Sequence, residues 1–342
     1  MFLSILLFFY ISFGLSFIIN YFTHFKQESY IEQFIVRIGF GILAFTLLGT
    51  LLDLLFIPLN IWIYTLIATL LITHYLYKNR PTATTIIKHI KSTSNHEYFF
   101  LTLAFTLFLI TLFMYLSGTF AYTYLENGDP WGYTAVSKVI SQEQTFKADY
   151  RYNHYSEPYT QGYQILMGVL HQSNDSIYLT MKIFHQLILS LSILFFYVMI
   201  KQIFRHHKHN YVIAFLATFI LFAIPSWVSK FIFSLSFNMA LIPILLYFLI
   251  KIDEDKKWKY AAMIAYGSII INHFFTAFII TLLIGFYYII KVFATQQFNK
   301  EILETIFGGI QLSLIFHIPT IIRYSYYFEN PVHESHGGLE TF

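Results

Sequence analysis

Cysteine is absent from the 342 residues. That excludes disulfides, thiolate metal sites and cysteine nucleophiles. Charge is nearly as scarce: Asp, Glu, Lys and Arg make up 11% of the chain, far less than a soluble domain needs to cover its core. The net charge of +3 is small and no basic run is dense, so nucleic acid is not an expected partner. The opening stretch, "MFLSILLFFYISFGLSFIINYF", has neither a positive n-region nor a small-residue cleavage site, and reads as a retained span. Internal repeats are missing, as are matched pairs of Gly/Pro-broken spans, the usual pointer to a transporter.

What is there is apolar. Hydrophobic residues reach 57% and the mean hydropathy is +0.59. They come in blocks of roughly 20, enough to cross about 30 Å of hydrocarbon. This predicts an all-α polytopic membrane protein, since a β-barrel would show short alternating segments. Aromatics, at 20%, carry little functional weight. About ten spans are expected. They lie near Phe2–Tyr21, Phe34–Leu52, Leu54–Tyr77, Tyr98–Leu116, Ile177–Ile200, Tyr211–Ile224, Phe231–Ile250, Tyr260–Phe275, Thr276–Val292 and Thr305–Ile322. A tight turn at Asp53 is expected between the second and third.

Fifteen of the 21 Lys and Arg, among them Lys26, Lys88, Lys201, Lys257 and Lys300, fall in one set of alternate loops and flanks. The other set holds Lys138, Lys147, Arg151, Lys182, Lys230 and Arg323. The positive-inside rule puts the rich set in the cytoplasm, and the N-terminus, the loop 117–176 and the C-terminal tail outside, at a plasma membrane. The chain divides into a three-span unit (1–77), a cytoplasmic linker (78–97), a membrane core (98–322) and an outer tail (323–342).

The large first outer loop, roughly sixty residues among otherwise short connections, is where function is expected. It opens "YLENGDPWGYTAVSKVI". Asp129 is a natural N-cap and Pro130 a natural first helical residue. Trp131, Ala135, Val136, Val139 and Ile140 share a face, predicting an amphipathic helix lying in the membrane interface. A polar middle, "KADYRYNHYSEPYTQG", leads to a second amphipathic piece, "GYQILMGVLHQ". Asp before Pro is commonly just a cap. Capping also keeps a carboxylate ionised and aimed, which suits a general base or a ligand for a hard cation such as Mg or Mn. Glu126 is placed to share such a metal site.

These segments resemble the C-type glycosyltransferase superfamily, which includes oligosaccharyltransferase catalytic subunits and protein O-mannosyltransferases. "NGDPWGYTAVSKVI" is similar to the family's Asp-Pro-aromatic stretch. "SEPYTQGYQILMGVL" resembles its Tyr-Pro-Pro-Gly segment with the following apolar helix, here without those prolines, and "NHFFTAFII" resembles a later His-Pro-x-Thr-Ala stretch. The likeness covers roughly residues 117–280. Many relatives continue into a soluble outer domain, so the chain reads as a minimal enzyme or a piece of a longer one.

The resemblance implies transfer of a sugar from a polyprenyl-phosphate-linked donor to an acceptor outside the membrane. Asp129 is then the catalytic carboxylate. A cation must neutralise the leaving phosphate: Arg323 first, with Lys230 and Arg151 in reserve. Glu126, Glu157, Tyr159, Gln161 and His273 are expected substrate contacts. Other histidines weigh less. His171, His185 and His317 read as packed or solvated, His206, His207 and His209 as a charged cytoplasmic loop, and His333 with Glu334 and His336 as a loose metal motif. Asn174-Asp175-Ser176 is a glycosylation sequon. Competing readings are a transporter or flippase for lipid-linked sugars, a surface-polysaccharide polymerase or ligase, and an assembly subunit that has kept the fold.

Overall fold

A computed structural model describes residues 1–25, 29–79, 95–125, 128–146, 161–224, 232–296 and 298–329. Side-chain descriptions end with His317. Thirteen α-helices, and no strand, occur among the described residues. They are α1 (Phe2–Leu15), continued by a 3₁₀ turn into α2 (Ile19–Phe22), α3 (Tyr30–Leu54), α4 (Ile61–Asn79), α5 (Asn95–Phe120), α6 (Gly128–Glu143) and α7 (Gly162–His171). There follow α8 (Ile177–Ile203), α9 (Asn210–Phe222), α10 (Ser234–Lys251), α11 (Trp258–Asn272), α12 (Phe274–Thr295) and α13 (Lys300–Glu329).

Six of these, α1 with α2, α3, α5, α8, α10 and α12, are long and apolar enough to cross a membrane. The remaining four expected spans coincide with α4, α9, α11 and α13, which are helical without meeting that standard. The helices sort into two kinds. On α3 and α8, 83% of the most apolar window is buried, so they form the centre. On α5 and α12 only 28% and 22% is buried, and their exposed faces carry Phe105, Leu109 and Phe113, and Phe278, Leu282 and Phe286. So much outward apolar surface belongs against hydrocarbon, not water.

Close approach of small residues seats α3 on α1, and Gly14 of α1 likewise lies against Ala68 of α4. Gly41 of α3 lies against the backbone of Ser12 in α1, where an added Cβ would fall 1.7 Å from the Ser12 carbonyl oxygen. Bringing backbones together this way gains dispersion contacts where lipid offers no hydrophobic drive between helices. The helix α3 starts with a capping box: Ser29 Oγ accepts from the Glu32 N–H and the Glu32 carboxylate accepts from the Ser29 N–H.

Asp53 does not make a turn. It is buried in the last turn of α3, and the connection to α4 is residues 55–60. Asp53 sits between Leu52 and Leu54 in a helix that runs on past it, and the chain instead reverses around Phe56, whose φ is 59°.

The two ends of the bundle differ in chemistry. At one end, Lys201 of α8 pairs with Glu32 of α3 and Glu97 of α5, each at 2.5 Å. There too Glu254 pairs with Arg205 and Lys251, Lys291 of α12 with Asp253, Lys259 of α11 with Glu304 of α13, and Lys256 with Glu301. Burial alone would raise the Glu254 carboxyl. Bonds from Lys251 and Gln202 and the Arg205 charge outweigh it and hold the group below the ordinary carboxylate range. The other end carries α6 and α7, which pack on each other.

Candidate functional site

At the α6–α7 end, the two loop helices form where the sequence places them, with their apolar faces turned into the protein. The buried stripe of α6 is Tyr133, Val136, Ser137 and Ile140, facing α7, while Trp131 and Ala135 point outward. Every residue of α7 from Gly162 to Leu170 is buried. This helix is therefore an internal plug between α6, α3 and α8 and lays no face on an interface.

Asp129 is exposed in the first turn of α6, one residue inside a helix that starts at Gly128. A carboxylate there is favoured by the unsatisfied N–H groups of the helix start. Trp131 packs against Tyr178 in the first turn of α8, fixing where this helix start stands. One turn after Asp129, Tyr133 accepts from the Ser234 hydroxyl of α10 at 3.2 Å.

From Tyr133 a chain of buried polar side chains, the polar crevice, runs inward. The Tyr163 ring of α7 stands edge-on to Tyr133, with centroids 5.7 Å apart. The Tyr163 hydroxyl meets His185 Nδ1 of α8 at 2.9 Å, and His185 Nε2 meets Ser236 Oγ at 3.2 Å. Ser236 donates its hydrogen to the Phe233 carbonyl, so it accepts from Nε2–H. Beyond lie Gln164, Asn238 and Asn272, all fully buried. Both amide atoms of Gln164 and of Asn272, and Asn238 Oδ1, have no hydrogen-bond partner among the described residues. Each such buried group costs roughly 1–3 kcal/mol, so three of them together mark a place built for something polar.

His273 is the single residue between α11 and α12. Its Nδ1 accepts from the Thr276 N–H at 3.1 Å and stands 2.8 Å from the Thr276 hydroxyl, capping α12 with a ring where Ser or Asp is usual. Phe233 links it to Tyr133 by ring contacts. Gln161 precedes α7 at its cap position. Gly162 next to it is pressed on Asn272, since a Cβ there would lie 2.2 Å from Asn272 Oδ1.

The structure thus gathers Gln161 and His273 around the crevice and puts Asp129 one turn from its mouth. Glu126, Arg151, Glu157, Tyr159 and Lys230 lie outside the described residues, as do His333, Glu334 and His336. Arg323 falls on α13, and its side chain is likewise outside. Among the described residues no three His, Asp or Glu side chains cluster as a metal site. Asp129 is the one described carboxylate of the expected cation pair. The sequon asparagine is engaged in structure: Asn174 Nδ2 donates to Ser4 Oγ and the Leu170 carbonyl, and its Oδ1 accepts from Ser176 N–H and the Thr180 hydroxyl.

Sequence reasoning missed Lys182, counting it only as a loop charge. It lies in α8, 3% exposed, with Nζ 2.7 Å from the Tyr122 carbonyl and over the Phe120 ring. Its position five residues into an apolar span was the available signal. His185 was read as packed, and it proves to be the hinge of the polar chain. No protein-family model, curated protein or solved structure matches this chain.

Proposed function

We propose that the protein is a C-type membrane glycosyltransferase, taking a sugar from a polyprenyl-phosphate-linked donor and passing it to an acceptor on the outer face. In this reading the ion-paired end is cytoplasmic and the α6–α7 end faces outward, in keeping with the Lys and Arg bias. One observation carries the reading: an exposed Asp129 at a helix start lies one turn before Tyr133, over buried polar side chains among which the amides of Gln164 and Asn272 have no hydrogen-bond partner among the described residues. An amide offers both donors and an acceptor, which suits the hydroxyls of a sugar.

The reaction needs one base. Asp129 takes the proton of the acceptor hydroxyl, and the acceptor oxygen forms its bond to the anomeric carbon. The bond from that carbon to the phosphate oxygen breaks, and the polyprenyl phosphate leaves with the electron pair. Burial of the crevice beneath α6 keeps water from competing as acceptor. A magnesium or manganese ion held by Asp129 and Glu126 would lower the pKa of the acceptor hydroxyl, a role that the step above does not require.

The test is Asp129→Asn, which keeps the size and polarity of the side chain and removes the base; Asp129 stands inside the first turn of α6 and not, as the sequence suggested, at its N-cap. Membranes holding this variant should express and fold normally and transfer no labelled sugar from polyprenyl-phosphate donors. Undiminished transfer would return Asp129 to a purely structural role. Solute or lipid movement across vesicles that ignores the substitution would favour the transporter reading.

A further inference from the structure

Arg37 of α3 is 5% exposed, yet no carboxylate answers its charge among the described residues. Of the two acids on α3, Glu32 is held by the Ser29 N–H and Lys201, and Asp53 lies at the far end of the helix. The guanidinium sits among rings instead: Cζ is 4.4 Å from the centroid of Phe17, 5.1 Å from Phe25 and 5.8 Å from Tyr75. Nη2 donates to Asn20 Oδ1 at 3.1 Å. Arg37 Nη1 and Asn20 Nδ2, the nitrogens next to that bond, are buried and have no acceptor among the described residues. Rings temper a cation's charge but leave these N–H groups without a hydrogen-bond partner. A cation left in this state within a membrane bundle points to a ligand.

Phe17, Asn20 and Tyr75, which touch the guanidinium, are also part of the wall of a cavity between the end of α2 and the last turns of α4. Arg37 stands directly behind that wall. The inner space is about 20 Å³, enough for one water-sized group. His24, His74 and Lys78, all exposed, line the cavity as well, and among the described residues no Asp or Glu does. Phe22 and Phe25, on the adjoining chain, pack on Tyr260 and Trp258 of α11, so the cavity belongs to the ion-paired end, away from Asp129.

We propose that this cavity takes a phosphate group, with Asn20 Nδ2 donating to one oxygen, Arg37 supplying charge from behind and Lys78 completing the site on the exposed side. Adjacent donors on a guanidinium and a carboxamide match an anion that offers more than one acceptor oxygen. One oxygen fits the inner space, and the others stay with Lys78 and the histidines. In the orientation proposed above the cavity faces the cytoplasm, where basic pockets between membrane helices take phosphate headgroups. The phosphate is that of an inner-leaflet headgroup or of a soluble molecule. The site is independent of the sugar chemistry proposed for the opposite end.

Thermal unfolding of the protein purified in dodecyl maltoside, an uncharged detergent, tests this, since binding to the folded state raises the melting temperature. The probes are phosphatidylglycerol, with diacylglycerol as its control, and inorganic phosphate, with chloride at equal ionic strength as its control. A phosphate-bearing probe should protect at about tenfold lower concentration than its control, as one charge-assisted bond allows. Preference within the lipid pair assigns the phosphate to a headgroup, and preference within the salt pair assigns it to a soluble molecule; either supports the site. Arg37→Gln should abolish the preference. Because loss of Arg37 also disturbs the rings around it, Lys78→Gln, at an exposed position, is the second variant and should weaken the preference about threefold, as a solvated charge allows. Equal protection by each probe and its control would make Arg37 a structural member of its aromatic cage and overturn the proposal. A preference left whole in either variant would overturn it too.

Discussion

Trp131 of α6 meets Tyr178 of α8 edge to face, with ring centroids 5.4 Å apart and planes at 74°. The contact makes the start of α6 a fixture of the central helix. An exposed carboxylate thereby gains a defined position without being buried.

The first prediction follows from that position. Asp129→Asn should lower sugar transfer by about 10²–10⁴-fold, the usual contribution of a positioned base. Trp131→Ala should cost less, through a raised KM and a lower kcat together, because it loosens the carboxylate without removing it. Initial rates in membranes with saturating acceptor separate the two.

Asn272 separates binding from folding. It is fully buried and neither amide atom has a partner among the described residues, so Asn272→Leu removes a desolvation cost of about 1–3 kcal/mol. Thermal stability in detergent should hold or rise, while KM for the donor rises about tenfold or more. A fall in melting temperature with unchanged KM would make Asn272 a structural residue.

Two glycines should not accept a methyl group. Gly41→Ala drives a Cβ into the Ser12 carbonyl oxygen, a backbone atom with little room to move, and Gly162→Ala strikes Asn272 Oδ1. Overpacking typically costs 1–3 kcal/mol and sometimes more. Gly41→Ala should be the worse, because the Asn272 side chain can swing aside. Yields of monodisperse protein and melting temperatures rank them.

Acid should weaken the ion-paired end. The Glu254 carboxyl is held below its ordinary value in the folded protein, so its contribution is complete above the unfolded pKa, near 4.5, and is lost as pH falls through the lower folded value. Glu254→Gln should therefore lower the melting temperature at pH 7 and flatten its decline below about 4.5. A variant with the same acid profile as the parent would contradict this.

Orientation can be read with single thiols, since the chain has no cysteine of its own. Ala135→Cys, exposed on α6, should react with an impermeant maleimide on intact cells, and Lys257→Cys only after the membrane is opened. The reverse pattern would place Asp129 in the cytosol and remove the proposed chemistry.

Much of the architecture is written in the hydropathy. Six of the ten expected spans fall on helices long and apolar enough to cross a membrane, and the other four overlap helices that do not meet that standard. The two loop helices were also legible, from Asp129-Pro130 and from the apolar run after Gly162. What the one-dimensional pattern hides is what each face meets. Val136 and Ile140 read as membrane-facing, yet they face α7, and the buried stripe includes the polar Ser137. Asp53 carries the residue type of a turn but sits in a helix held by its neighbours. Tyr163, His185 and Ser236 come from three separate helices, and no spacing along the chain announces that they meet. His273 caps α12 through a ring nitrogen, a role no short motif encodes.

The ion pairs described above gather at one end, joining α3, α5, α8, α10, α11, α12 and α13. Raised ionic strength, which screens such pairs, should therefore act first on that end and leave the surroundings of Asp129 and Tyr133 as they are.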